Sequence, residues 1–213
     1  MRRLPLVLLA LVAAAGCASS QPSARPATAS RQRPEPKGLP SELADTGWAD
    51  VQSRRQSLVV RLPVRAAWRV NDDAEPWFLA SHPATGSELR LRTWSAPRQV
   101  RADECQAQAR LWRPSIPPLD DEAVVRRRLR APGDFAGEVV VGVAPGESGL
   151  EGHALAFGAS VGRCYAAVFT TKVSGPGSEE ALGRRLVLIV DGVLGRVRVL
   201  GVEDRADAAR ETR

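Results

Sequence analysis

The stretch "GEVVVGVAPGESGLEGHALAFGASVGRCYAAVFTTKV", Gly137–Val173, decides the fold. It holds three strand-like runs, Gly137–Ala144, Gly152–Ser160 and Arg163–Val173, rich in valine, alanine and aromatic residues. Turn residues around Pro145–Gly149 and at Val161–Gly162 separate them, which predicts an antiparallel meander. Downstream, "SEEALGRRLVLIVDGVL", Ser178–Leu194, changes period: Leu182, Leu186, Ile189, Val190 and Val193 line one side of a helix, with Ser178 as N-cap.

Upstream, "SLVVRLP", Ser57–Pro63, reads as a strand stopped by proline. "WFLASH", Trp77–His82, and "SELRLRTW", Ser87–Trp94, flank the turn-forming "PATG" and predict a hairpin. In "VRADECQAQARLW", Val100–Trp112, Ala102, Cys105, Ala109 and Trp112 step by three, four and three along one helical face. "DDEAVVRRRLR", Asp120–Arg130, has an acidic start and a basic end, which predicts a short helix. Runs of strands with few helices between them predict an α+β domain over 47–203, an antiparallel sheet with helices on one face and a long C-terminal helix. The early hairpin, central meander and closing helix are similar in order to the PsbP-type α+β fold.

The other end of the chain reads differently. Met1, Arg2 and Arg3 precede an apolar run, Leu4–Ala15, and then "AAGC", Ala14–Cys17. A basic start, a short apolar core and a small-residue cleavage site make a secretory signal peptide over 1–16. Twelve helical residues reach about 18 Å, short of the ~30 Å hydrocarbon core, so the run is not a transmembrane helix. "AAGC" resembles the lipobox of bacterial lipoproteins, with Ala14 where leucine is commoner. The resemblance implies that Cys17 is lipidated and becomes the first residue of the mature chain. It also implies that Ala18, which is not aspartate, directs the protein to the outer membrane, facing periplasm or cell surface. More than one acyl chain makes a stable anchor. Residues 17–46 form a tether: Ala18–Pro40 has five prolines and a single large apolar residue, Leu39, too little to repay ordering. Residues 204–213, largely charged, form a frayed tail.

Losing Arg2 and Arg3 with the leader takes the formal charge from +6 to +4, a modest excess that argues little for nucleic acid. Only Lys37 and Lys172 are lysines, so the basic residues are nearly all arginine, and with abundant Ala, Gly and Pro this reads as codon bias.

With Cys17 lipidated, Cys105 and Cys164 remain. In an oxidising envelope two cysteines in one exported domain predict a disulfide, closing a loop that stabilises by about 4 kcal/mol in the chain-entropy view. Two buried thiols, or a Cys164–His153 nucleophile pair, are the alternatives. Arg126, Arg127, Arg128 and Arg130 are the densest basic cluster, either a solvated helix end or a contact for anionic envelope material or an acidic partner. "GASVG", Gly158–Gly162, matches the nucleophile-elbow pattern at Ser160, but a strand-like run follows where a helix is required, and both histidines, His82 and His153, lie upstream. Neither histidine has a second His or Cys three or four residues away, so no metal site is expected, and no Gly-rich phosphate loop or cofactor motif is present. Trp68, Trp77, Trp94 and Trp112 read as core, unless two of them stand exposed side by side.

These features predict a lipid-anchored envelope protein, held to the membrane through Cys17, whose domain binds an envelope protein or an anionic envelope ligand, or acts as an assembly accessory that docks to other envelope proteins, without catalysis, cofactor or nucleic acid. An envelope hydrolase with an unrecognised site is the competing class.

Overall fold

A computed structural model describes residues 42–73, 76–96, 100–113, 115–116, 125–130 and 135–200. All of them belong to one compact unit, Lys37–Arg213. The predicted leader, Cys17, most of the tether and the 204–213 tail lie outside the described residues.

The meander forms as the sequence predicts. Strands β7 (Ala136–Gly146), β8 (Gly149–Ser160) and β9 (Arg163–Val173) pair antiparallel over almost their full lengths, with Gly146 opposite Gly149 and Ser160 opposite Arg163 at the two turns. The predicted hairpin is β4 (Phe78–His82) and β5 (Ser87–Ser95), joined through a short 3-10 turn at Pro83–Thr85. β5 also pairs with β9, so hairpin and meander share one sheet. Adding β3 (Arg69–Asn71) and β6 (Val125–Arg130) gives seven strands in the order β3-β4-β5-β9-β8-β7-β6, every neighbouring pair antiparallel. A second sheet has the order β1-β2-β10, from Ala49–Ser53, Leu58–Leu62 and Arg198–Val199. The architecture is α+β and dominated by antiparallel sheet.

The helices, expected on one face, lie on opposite faces. Along β8, Ala154 and Ala156 point to one side, where they join Leu182, Leu186, Ile189, Val190 and Val193. These five come from α2 (Ser178–Val187) and the turn after it, and all are buried. Leu58, Val60 and Leu62 of β2 join the same core, so the small sheet and α2 cover this face together. Leu155 and Phe157 point to the other side, against Ala109 of α1 (Ala102–Trp112). The reason is in the strands: "ALAF" and "YAAVF" are apolar at successive positions, so neither face can be left to water. At Gly152 the approach of α2 is so close that a Cβ would lie 2.5 Å from Leu182 Cδ1.

Three local expectations change. The predicted Asp120–Arg130 helix is, over Val125–Arg130, the strand β6 paired with Val141–Ala136; Asp120–Val124 lie outside the described residues. Helix propensity is a weak prior, and the free edge of β7, whose backbone groups need partners, outweighs it. The C-terminal helix is regular only to Val187, continuing as a wide turn over Leu188–Val193 and a 3-10 turn over Leu194–Arg196. A Cβ on Gly192 would overlap the Trp48 ring, so glycine at this position makes room for that indole. Finally, the packed chain reaches back beyond the expected start at 47, because Leu43 is buried in the main core.

Cys105 and Cys164 form the predicted disulfide, with Cα atoms 5.5 Å apart, and it fastens α1 to β9. Both are buried with Ala159 beside Trp94. Replacing both cysteines by alanine should cost about 2–4 kcal/mol in urea unfolding. Unchanged stability, with an intact mass that reductant does not raise by two hydrogens in the wild type, would refute the bridge.

Candidate functional site

The arginine cluster occupies the outermost strand of the large sheet, where one row of backbone groups has no strand partner among the described residues. Charged side chains on an edge strand prevent pairing with another chain, which gives the cluster a structural role that a helix end does not. Strand alternation then divides it. Arg127 turns to the α2 face and pairs with Asp191. Arg126 turns to the α1 face, where its Nη1 donates to Glu138 Oε2 at 3.1 Å, and Arg128 shares that side. Of Arg130 only the backbone is described.

Between β6–β8 and the N-terminal end of α1 runs a groove of two adjoining cavities, about 310 and 740 Å³, sharing Arg101, Ala102 and Glu138. Its floor is apolar, with Val140, Phe157 and Ala159. Its rim carries the cations Arg101, Arg126 and Arg128 against the carboxylates Asp103 and Glu138. Arg101 is 3.2 Å from Asp103, an exposed pair of little energetic weight. The groove therefore offers apolar contact below and an excess of guanidinium above.

Ser160 lines this groove but forms no nucleophile elbow. It ends β8 in a hairpin turn at Val161–Gly162, where Gly162 takes a positive φ of 67°, and β9 follows directly. His153 is seven residues back on the same extended strand, about 23 Å away. Cys164 is in the disulfide, which removes the Cys164–His153 pair. Among the described residues no cluster of His, Cys, Asp and Glu could hold a metal ion. No described helix is long and apolar enough to cross a membrane.

Trp68 and Trp77 are core residues, as predicted. Trp94 and Trp112 instead stand edge to face, 4.9 Å apart, and Trp112 is 39% exposed. Arg92 lies 3.5 Å over the Trp112 ring and burial lowers its pKa from the usual arginine value. Such stacking stabilises by about 0.5–2 kcal/mol.

A further polar cluster escaped the sequence reading. Arg185 of α2 is buried, although it lies on the apolar side of the helix between Leu182 and Leu186. Its Nη1 donates to Lys172 O at 2.9 Å and to Thr85 O and Thr171 Oγ1 at 3.3 Å. Its Nε and Nη2 donate to the two carboxylate oxygens of Glu42 at 3.1 and 2.5 Å. From Thr171 the network continues through Ser87 and Thr85 to His82 Nδ1, at 2.7, 2.7 and 2.9 Å. His82 is fully buried, its ring edge-on to Trp68, and its Nε2 has no partner among the described residues. A cation at the helical spacing of an apolar stripe was the readable signal.

Burial holds the pKa of His82 and of His153 below the ordinary 6.5, with Arg185 adding repulsion at His82 and Lys172 at His153. The hydrogen bonds from Arg185 hold Glu42 below the ordinary 4.5, against the opposing effect of its burial. In each case the unfolded chain binds protons first, so stability present above the unfolded value is lost on acidification. Urea stability should be level near pH 8, fall from about pH 6.5 as the histidines charge, and fall again below 4.5 as Glu42 is protonated. Glu42→Gln should remove the second fall and leave the first; an unchanged profile would count against the Glu42 contribution.

No family model matches the chain, and no curated protein matches it. Among solved structures it is similar to a crystal structure of a protein from Bacteroides thetaiotaomicron VPI-5482, with 13% sequence identity and a TM-score of 0.45. The alignment covers 72% of this chain and 49% of the other, so the chain spans about half the length of that protein.

Proposed function

We propose that this is a lipid-anchored envelope lipoprotein whose domain binds an anionic amphiphile, without catalysis, in the groove between α1 and β6–β8. One observation carries the binding assignment: Arg101, Arg126 and Arg128 ring an apolar floor that includes Phe157. Guanidinium matches phosphate or carboxylate in forked hydrogen bonds, while the floor accepts a short apolar segment. Envelope material rich in phosphate and acyl chains has both properties.

The anchor reading rests on "AAGC" at Ala14–Cys17 and the outer-membrane reading on Ala18. The β4–β5 hairpin, the β7–β8–β9 meander and α2 follow one another in the order on which the PsbP-like reading rests, with β10 added after α2. The hydrolase alternative finds no support at Ser160, which lies about 23 Å from His153 along β8.

The binding claim is tested with dodecyl phosphate, below its micellar concentration, titrated into the full chain by calorimetry at two salt concentrations. Arg126→Glu with Arg128→Glu should weaken binding at least about tenfold, near 1.4 kcal/mol, and flatten the salt dependence, whereas Arg127→Glu should leave it unchanged. Equal affinity in the double variant, or no saturable binding in the wild type, would overturn the reading. For the anchor, Cys17→Ser should move the protein from the detergent-rich to the aqueous phase in a partition assay; retention in the detergent phase refutes lipidation.

A further inference from the structure

Arg185 presents an arrangement that packing alone does not require. The fixed framework engages one nitrogen: Nη1 is held by the carbonyls of Thr85, in the turn between β4 and β5, and of Lys172 in β9, and by the Thr171 hydroxyl of β9. The remaining fork, Nε and Nη2, faces a half-exposed carboxylate from Glu42, at the very start of the described chain. A buried guanidinium left without a carboxylate is costly, so the fork demands an anion there. It does not demand that the anion belong to the chain. Beside Glu42 a cavity of about 490 Å³ remains, lined with polar groups including Ser148, Ser174 and Lys172 and opening onto the first turn of α2 at Gly177 and Ser178. Lys172 Nζ is largely exposed, 3.7 Å from Glu151.

We infer that the Arg185 pocket is a carboxylate-binding site occupied in cis by Glu42, and that a small polar dicarboxylate exchanges for it. One carboxylate replaces that of Glu42 on Nε and Nη2, and the second lies toward Lys172 and the α2 N-terminus, where backbone N–H groups and the helix dipole favour negative charge. No bond is made or broken. The site lies at the opposite end of the β8–β9 pair from the α1 groove, near Val173 rather than Ser160, and stands independently of whether that groove binds.

The test is titration of the full chain with succinate at pH 7, read by calorimetry and by the thermal midpoint. Glu42→Ala should bind at least about tenfold tighter than wild type, because the competing carboxylate is gone, and succinate should raise its midpoint more than that of wild type. Lys172→Ala in the Glu42→Ala background should give back severalfold of that affinity, and Arg185→Lys should abolish it. Should Glu42→Ala fail to fold, the near-isosteric Glu42→Gln carries the same comparison. Affinity no greater in these variants than in wild type would overturn the proposal and leave the Glu42–Arg185 pair a structural clamp. Affinity insensitive to Lys172→Ala would overturn the dicarboxylate assignment.

Discussion

The constraint on which this molecule depends is that β8 and β9, the central pair of the large sheet, are apolar on both faces. A sheet with one apolar face needs a single covering layer, but two such strands need two. The chain supplies the second layer from distant segments: α1 on one side, α2 with β1, β2 and β10 on the other. Small residues line the α2 face of these strands: Ala154, Ala156 and Ala167 join the larger side chains of the covering elements in one core, and Gly152 lies under Leu182. The disulfide acts on the thinner side, where α1 covers the sheet with two small buried residues, Cys105 and Ala109, and little else of its own.

Polar chemistry is therefore pushed to the two ends and the outer edge. At the β6 edge Arg126 and Arg128 face one side of the sheet and Arg127 the other, so cations neighbouring in sequence do not make one site. At the far end of β9 a cation enters the interior instead and is tolerated because carbonyls, hydroxyls and a carboxylate surround it. Two kinds of anion recognition are thus possible in one small domain. One is broad and half apolar, the other narrow and forked.

The meander, the β4–β5 hairpin, α1 and the stripe of α2 were legible because each has strong periodicity bounded by Pro or Gly turns. The disulfide was legible because two cysteines in a chain whose start reads as an export signal have few other expected uses. What failed did so for tertiary reasons. "VRRRLR" at Val125–Arg130 favours a helix locally and becomes a strand because β7 offers it an unpaired edge. The placement of helices on both faces was written in the absence of alternation in "YAAVF", but that signal speaks of burial and not of what does the burying. β3 and β10 are too short to stand out from their surroundings, and β1, "ADVQS", has Val51 as its single large apolar residue. Arg185 was masked by the leucines around it, and its partners are Thr85, Thr171 and Glu42, contacts 100, 14 and 143 residues away in sequence.

The order in which strands meet has a kinetic consequence. β5 pairs with β9 across the whole of α1 and the meander, Ser87 and Thr171 being 84 residues apart, and β2 pairs with β10, joining Val59 to Arg198. A chain emerging from its amino end, whether from a ribosome or a translocation pore, holds its early strands with exposed edges until β9 and β10 arrive. Sheets built from such distant partners fold slowly, because loop closure is opposed by entropy before contacts reward it. The three-stranded β7–β9 meander can form locally first and serve as the template on which β5 docks. The arginines of β6 then guard the growing sheet at its other border, against pairing with a second chain during that interval.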